Sequence, residues 1–303
     1  MNKKILKSTV TLLFVSILAL ICKTPLSHNM HSQHAFVPSE FSAVTNKLKS
    51  ANPKREGIVR ILSYNLLADS LGFDGTDAVT RADGVCEIIN TLTPDVVGLQ
   101  ETSRSWHTCI RENTEYTFIS PLRTEILGTM TCVIYNKNTV TLVTGGEKVF
   151  QSGFDSRLRR MVWGVFRHKK SGKIFAVVNT HFSLSNNDIK IPMKQATELL
   201  NFCDIIRKKY ACPVFSVGDF NARERTVGNN VTSSVYETLC TVLNDTKTDS
   251  ESVICGKNQG IYATSNDHIF YKGEADIKNY VILSQKEFET LSDHYPVFVD
   301  TFI

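Results

Sequence analysis

The chain has 303 residues, 42% of them hydrophobic, enough for one large α/β domain, and no internal repeat is visible. Its formal net charge of +4 traces to Lys3, Lys4, Lys7 and Lys23, the only charged residues before Glu40; beyond them thirty basic residues face thirty acidic ones. Bulk charge therefore gives no reason to expect nucleic acid or an anionic membrane as a partner, and only a local basic patch remains open.

The first residues read as an export signal. Lys3, Lys4 and Lys7 form a positive segment, and Val10–Cys22 is an apolar run of 13 residues, short for a membrane span. No clean small-x-small cleavage site follows. Residues 1–27 are expected to be a cleaved signal peptide, with an uncleaved N-terminal anchor as the alternative, so the folded part is expected to be secreted or otherwise extracytoplasmic. Residues 28–56 are polar and carry Pro38 and Pro53, and read as a flexible linker; His28, His31 and His34 there read as solvated. Residues 57–303 contain no further linker-like stretch and read as one domain, expected to be a monomer with no obligate protein partner.

Within that domain a strand is expected over Ile58–Leu67. A helix follows with Val85, Ile88, Ile89 and Leu92 on one face, and Pro94 stops it. Asp95–Glu101 is a buried strand ending in Gln100-Glu101, and a helix is expected near Arg104–Asn113. Strands are expected at Tyr116–Ser120, Met130–Asn136, Val140–Val143, Met161–Arg167 and Ile174–Phe182. A helix starting near Pro192 carries the stripe Ala196, Leu199, Leu200, Cys203 and Ile206, which is core spacing. Pro213–Val217 is a strand, and a short helix lies around Val235–Leu239. Residues 241–265 read as a surface loop, and Asn266–Tyr271, Ile277–Leu283 and Tyr295–Ile303 as the last strands. Strands outnumber helices, which favours two packed, largely antiparallel mixed sheets with helices outside them.

The eight cysteines contain no CxxC pair, which argues against a zinc ribbon or a thioredoxin-type site. In an exported chain, Cys203 with Cys212 or Cys240 with Cys255 would close short loops, whereas Cys132 reads as a small core residue. Asn230-Val231-Thr232 and Asn244-Asp245-Thr246 fit the glycosylation pattern.

Polar groups gather at strand ends: Asn65, Glu101, His181, Asp219 with Asn221, Asp267, and Asp293 with His294. Any one of them reads as a cap or turn residue. Together they imply more, because converging carboxylates repel one another unless a cation compensates. Oxygen ligands without cysteine suit Mg²⁺ or Mn²⁺ rather than Zn²⁺. A hard cation beside two histidines points to hydrolysis at phosphorus.

These stretches stand in the order Tyr64-Asn65, Gln100-Glu101, Asn179-Thr180-His181, Gly218-Asp219-Phe220-Asn221, Asp267-His268-Ile269-Phe270 and Ser292-Asp293-His294. In this the chain resembles the endonuclease/exonuclease/phosphatase superfamily over residues 57–303. The resemblance implies a DNase I-like fold: a four-layer α/β sandwich with its site at one rim of the paired sheets. It implies Glu101 as the principal metal ligand, helped by Asn65 and Asp293. Asp219 would orient or deprotonate the attacking water, with Asn221 and Asn65 on the phosphate. His294 would contact the phosphate, oriented by Asp267, with His181 as the second histidine. Which group is the formal base stays open. Arg159 or Arg160, just before Met161-Val162-Trp163, would grip the substrate phosphate.

The resemblance implies a Mg²⁺- or Mn²⁺-dependent phosphodiesterase or phosphatase, with nucleic acid as the first choice of substrate. A phospholipid head group or a small phosphate ester is the second. A catalytically idle binding protein on the same fold is the alternative of another class, and the intact carboxylate and histidine set argues against it.

Overall fold

The computed structural model describes residues 38–303 except 69–77, 120–130, 153–158, 185–188, 224–232 and 256–265. The expected signal segment, His28, His31, His34 and the Asn230–Thr232 sequon lie outside the described residues. The elements are, in chain order, α1 (Pro38–Ala51), β1 (Val59–Asn65), α2 (Ala78–Leu92), β2 (Val96–Gln100), α3 (Arg104–Asn113), β3 (Thr117–Phe118), β4 (Thr131–Tyr135), β5 (Val140–Val149), β6 (Arg160–His168) and β7 (Ile174–His181). They continue with α4 (Lys190–Tyr210), β8 (Val214–Asp219), α5 (Ser233–Cys240), β9 (Asn244–Asp245), α6 (Thr246–Asp249), β10 (Ser252–Cys255), β11 (Asp267–Lys272), β12 (Asp276–Ile282), a 3₁₀ turn (Lys286–Thr290) and β13 (Val297–Phe302).

The strands form two mixed sheets, one of seven strands in the order β10-β12-β13-β1-β2-β4-β3 and one of six in the order β5-β6-β7-β8-β11-β9. β1 with β2, β7 with β8, and β10 with β12 are parallel; the other pairs are antiparallel. Strand alternation divides the side chains of the six-stranded sheet between two cores. Val177, Phe215, Val217 and Ile269 face inward and meet Val97, Leu99 and Val133 of the seven-stranded sheet. Ala176, Val178, Val214 and Phe270 face outward onto Leu199, Phe202, Cys203 and Ile206 of α4 and onto Leu239 of α5. The apolar stripe of α2, with α1 and α3, belongs to the core of the other sheet. The result is the expected four-layer α/β sandwich of two mixed sheets flanked by helices.

The sheets approach closely at Gly98. A Cβ there would lie 2.4 Å from Val217 Cγ2 and 2.8 Å from Asn179 Cγ, so no larger residue fits without movement. β13 lies between β1 and β12, near the middle of its sheet. Arg60 of β1, buried, makes a two-pronged ion pair with Asp300 of β13, at 2.7 Å from Nε and 2.8 Å from Nη2.

Some expectations need correction. Residues 38–51, read as part of a linker, form α1. Phe41 and Leu48 lie on one face and are buried, with Val44 packed beside them, and Phe41 meets Phe288 edge-on at a ring separation of 5.7 Å. The folded unit therefore begins before residue 57. β5 runs on to Val149 because it pairs with β6 along its whole length. Residues 241–255, read as a loop, contain β9, α6 and β10. Cys86, Cys132, Cys203 and Cys212 are free thiols, and Cys132 is buried in the sheet as expected. Among the described residues no helix is long and apolar enough to cross a membrane.

Candidate active site

Strand register assembles the site. In the six-stranded sheet His181 stands beside Asp219 across the β7–β8 pair, and Asp219 stands beside Asp267 across the β8–β11 pair. Three of the expected residues thus occupy one level at one end of the sheet. Gly218 makes this possible. Its φ is +148°, and a Cβ there would lie 2.0 Å from the Thr180 carbonyl oxygen. In the seven-stranded sheet Asn65 ends β1 opposite Gln100 of β2, so Glu101 follows at the same rim. The 3₁₀ turn and the segment after it bring Asp293 and His294 to that rim just before β13.

Asp219 is the hub. One of its carboxylate oxygens accepts from Asn65 Nδ2 at 3.1 Å and lies 3.4 Å from His181 Nε2 and 3.9 Å from His294 Nε2. The other accepts the backbone N–H of Asn221 at 2.9 Å. His294 Nδ1 lies 2.6 Å from Asp267 Oδ2, so its Nε2 faces the site. Asn65 also donates to Glu101 Oε1 at 3.3 Å, while Ala68 N–H donates to Glu101 Oε2 at 3.0 Å. Glu101, Asn221 and Leu67 have φ of 56°, 47° and 55°, a left-handed conformation that costs a non-glycine residue of order 1–3 kcal/mol. Three of the five such non-glycine residues among the described ones gather at this rim.

Burial pushes the Asp219 carboxyl up to about 6, and neighbouring Asp267 pushes the same way. Burial alone would pull the His294 imidazole down, but the Asp267, Asp219 and Asp293 carboxylates outweigh it and push it up to about 10, so His294 is an imidazolium at neutral pH. Burial, then Arg159, then His294 hold His181 well below the usual histidine range, so His181 is neutral. The two histidines therefore differ in charge, one neutral and one cationic.

Glu101 and Asp293 are only half-buried and have no ion-pair partner among the described residues. With Asp219 and Asp267 at the same rim, four carboxylates share it with one imidazolium, on which Asp267, Asp219 and Asp293 act directly. That donor set, all oxygen and open to solvent at Glu101 and Asp293, fits a hard divalent cation. Single donor atoms of Asp219, Asp267 and His294 also lie within 4.8 Å of one another. The 2.6 Å bond between Asp267 and His294 already engages that group, so Glu101 and Asp293 are the more open ligands.

Two expected residues have side-chain groups engaged within the protein. Arg160 pairs with Glu147 of β5 at 2.7 Å, which engages its guanidinium, whereas the charge of Arg159 acts on His181. Asn221 gives one side-chain amide N–H to the Phe182 carbonyl at 2.9 Å and holds Asp219 through its backbone N–H.

Sequence reading missed the supports. Ser292 Oγ donates to the Asn65 carbonyl at 2.7 Å and accepts the His294 N–H at 3.2 Å, joining the two loops. Between the sheets Gln100 Nε2 donates to Asn179 Oδ1 at 2.7 Å, and Asn179 Nδ2 donates to the Leu99 and Cys132 carbonyls at 2.9 and 2.7 Å. This lock lies directly behind Glu101 and His181. All three residues stand inside the motif stretches, but only the fold shows what they touch.

Comparison with solved structures finds the same architecture. The mannosyl-6-phosphatase of Bacteroides thetaiotaomicron matches with a TM-score of 0.67 and 21% identity, over 81% of this chain and 100% of that one. The human nocturnin catalytic domain with bound sulfate anion matches at 0.64 and 22%, over 82% and 95%. D. rerio TDP2 complexed with single strand DNA product matches at 0.62 and 18%, over 81% and 99%. At these identities the likeness is one of fold. No curated protein sequence matches the chain. The family model described as Endonuclease/Exonuclease/phosphatase family matches residues 62–294, a span that opens in β1 and closes on His294 and so encloses every group of the site. With fold, motif order and site geometry in agreement, the chain belongs to the endonuclease/exonuclease/phosphatase family.

Proposed function

We propose that the protein is an extracytoplasmic hydrolase of phosphate esters that needs a divalent cation, with nucleic acid as its first-choice substrate. The observation that carries the hydrolase reading is Asp219, held between a neutral His181 and a charged His294 and raised to about 6. A carboxylate so tuned can take a proton from water near neutral pH. The His294 imidazolium, with Nδ1 fixed by Asp267, presents Nε2 as a donor to a non-bridging phosphoryl oxygen. Arg159 adds a fixed positive charge on the His181 side. Glu101, Asp293 and Asn65 would hold Mg²⁺ or Mn²⁺, which when bound supplies positive charge to a phosphoryl oxygen.

A second reading takes a small phosphate ester or a lipid head group as substrate. The near-neutral charge beyond the N-terminal lysines favours it, as does the likeness to a mannosyl-6-phosphatase. The test is a parallel assay of purified protein with Mg²⁺ on plasmid DNA, RNA, sphingomyelin, a chromogenic phosphodiester and mannose 6-phosphate. We expect hydrolysis that EDTA abolishes. Cleavage of nucleic acid above the others supports the first reading, and cleavage of a small ester alone supports the second. Hydrolysis of none would favour a binding protein.

A further inference from the structure

We propose that Arg81 of α2 is a positioning residue for the metal-side ligands Glu101 and Asn65, acting through two consecutive peptide groups. The inference rests on the metal-holding role proposed above. Arg81 is 1% exposed and lies far outside the motif stretches. Its Nη1 donates to the Leu66 carbonyl, and its Nη2 donates to the Leu67 carbonyl at 2.7 Å. Each of these carbonyls shares a peptide unit with an N–H that points the opposite way, because the peptide is planar and trans. The N–H paired with the Leu66 carbonyl is that of Leu67, and it donates to Asn65 Oδ1 at 3.0 Å. The N–H paired with the Leu67 carbonyl is that of Ala68, and it donates to Glu101 Oε2 at 3.0 Å.

One guanidinium therefore stands behind two peptides, each of which grips a proposed ligand. A cation at the carbonyl end polarises the peptide and strengthens the donor at its far end. The same Nη1 donates to the Leu291 carbonyl at 2.7 Å, two residues before Asp293, so Arg81 ties the third ligand's loop to the first two. Trp106 completes the setting. Its ring lies 4.9 Å under the guanidinium carbon, and its Nε1 donates to the Leu67 carbonyl at 3.3 Å. This network keeps Leu67 at its positive φ.

A merely structural arginine would close these carbonyls and lower stability when lost, and would leave the ligands' affinity unchanged in whatever folds. Mn²⁺ is therefore titrated by calorimetry, without substrate, into the full-length wild type, Arg81→Met and Arg81→Lys, with thermal melts of each metal-free protein alongside. We expect Arg81→Met to bind Mn²⁺ on the order of 10- to 100-fold more weakly, the usual effect of losing a group behind a ligand. Arg81→Lys keeps the charge without the fork and should recover part of the affinity. Wild-type affinity in folded Arg81→Met overturns the proposal, however far its melting point falls. Where Arg81→Met does not fold, undiminished affinity in Arg81→Lys overturns it instead. A wild type that takes up no Mn²⁺ overturns the metal reading itself, and this inference with it.

Discussion

Asp267 and His294 are 27 positions apart in the chain, yet the Asp267 carboxylate lies 2.6 Å from His294 Nδ1, and both groups are buried. One ring nitrogen is thereby committed, and the other faces Asp219. His294→Ala should cost several orders of magnitude in kcat/KM. Asp267→Asn should cost less, about 10- to 10⁴-fold, by loosening the ring and favouring the wrong tautomer. In the double variant the losses should fall short of their sum in free energy, because the residues act as one unit. Fully additive losses would dissolve the pair.

The same pair predicts how stability follows pH in EDTA. The folded-state pKa of His294 is raised to about 10, while the unfolded chain keeps about 6.5. The stabilisation is then fully present below pH 6.5 and is lost as pH rises through about 10. Asp219, raised to about 6, acts in the same direction at lower pH, between about 4 and 6. The melting temperature of the metal-free protein should fall from pH 7 to pH 10, and Asp267→Asn should flatten that fall. A melting temperature that rises over this range would contradict the assignment.

Glu101→Gln keeps the shape and removes the charge. It should weaken Mg²⁺ or Mn²⁺ binding as well as turnover, since a hard cation prefers a charged oxygen. Calorimetric titration and an assay at rising metal concentration separate the two effects. Unchanged metal binding would take Glu101 out of the ligand set.

The two neighbouring arginines should part company. Arg159→Ala should raise KM by roughly 10- to 100-fold, the loss of one charge-assisted contact. Arg160→Ala removes a pair with Glu147 and should act chiefly on stability, by about 1 kcal/mol. Steady-state kinetics and urea melts on both variants check this. Equal KM effects would put both side chains on the substrate.

Asn179→Ala should be costly without touching substrate. It strips a donor from two buried carbonyls and an acceptor from Gln100. Gln100 keeps Ser63 and Gly98 as acceptors, so at about 1–3 kcal/mol for each of the two carbonyls a loss of roughly 2–6 kcal/mol is expected in urea unfolding. A loss under 1 kcal/mol would mean the sheets do not depend on this lock.

Much of the site was legible because its residues stand at the ends of short apolar strands, where local pattern and chemistry coincide. Asp219 after Val214–Val217 and Glu101 after Val96–Gln100 are of this kind. What stayed hidden depends on partners far away in sequence. Arg159 and Arg160 look interchangeable until β5 supplies Glu147 to one of them. Arg81 reads as an ordinary helix arginine until the turn after β1 folds over it. α1 was missed because Pro38 and polar neighbours mask the spacing of Phe41, Val44 and Leu48, whose burial comes from packing on the rest of the domain.

The place of β13 bears on how the molecule is made. Its pairing with β1 joins Ser63 to Val297, and the Arg60–Asp300 ion pair closes across 240 positions of chain. The middle of the seven-stranded sheet therefore cannot form while the ribosome is still adding the residues that precede β13. Asn65 and His294 stand on either side of that seam, joined through Ser292. Contacts of such long range slow folding, because the loop must be closed before the contact stabilises anything. Until β13 is in place, the facing edges of β1 and β12 have no strand between them.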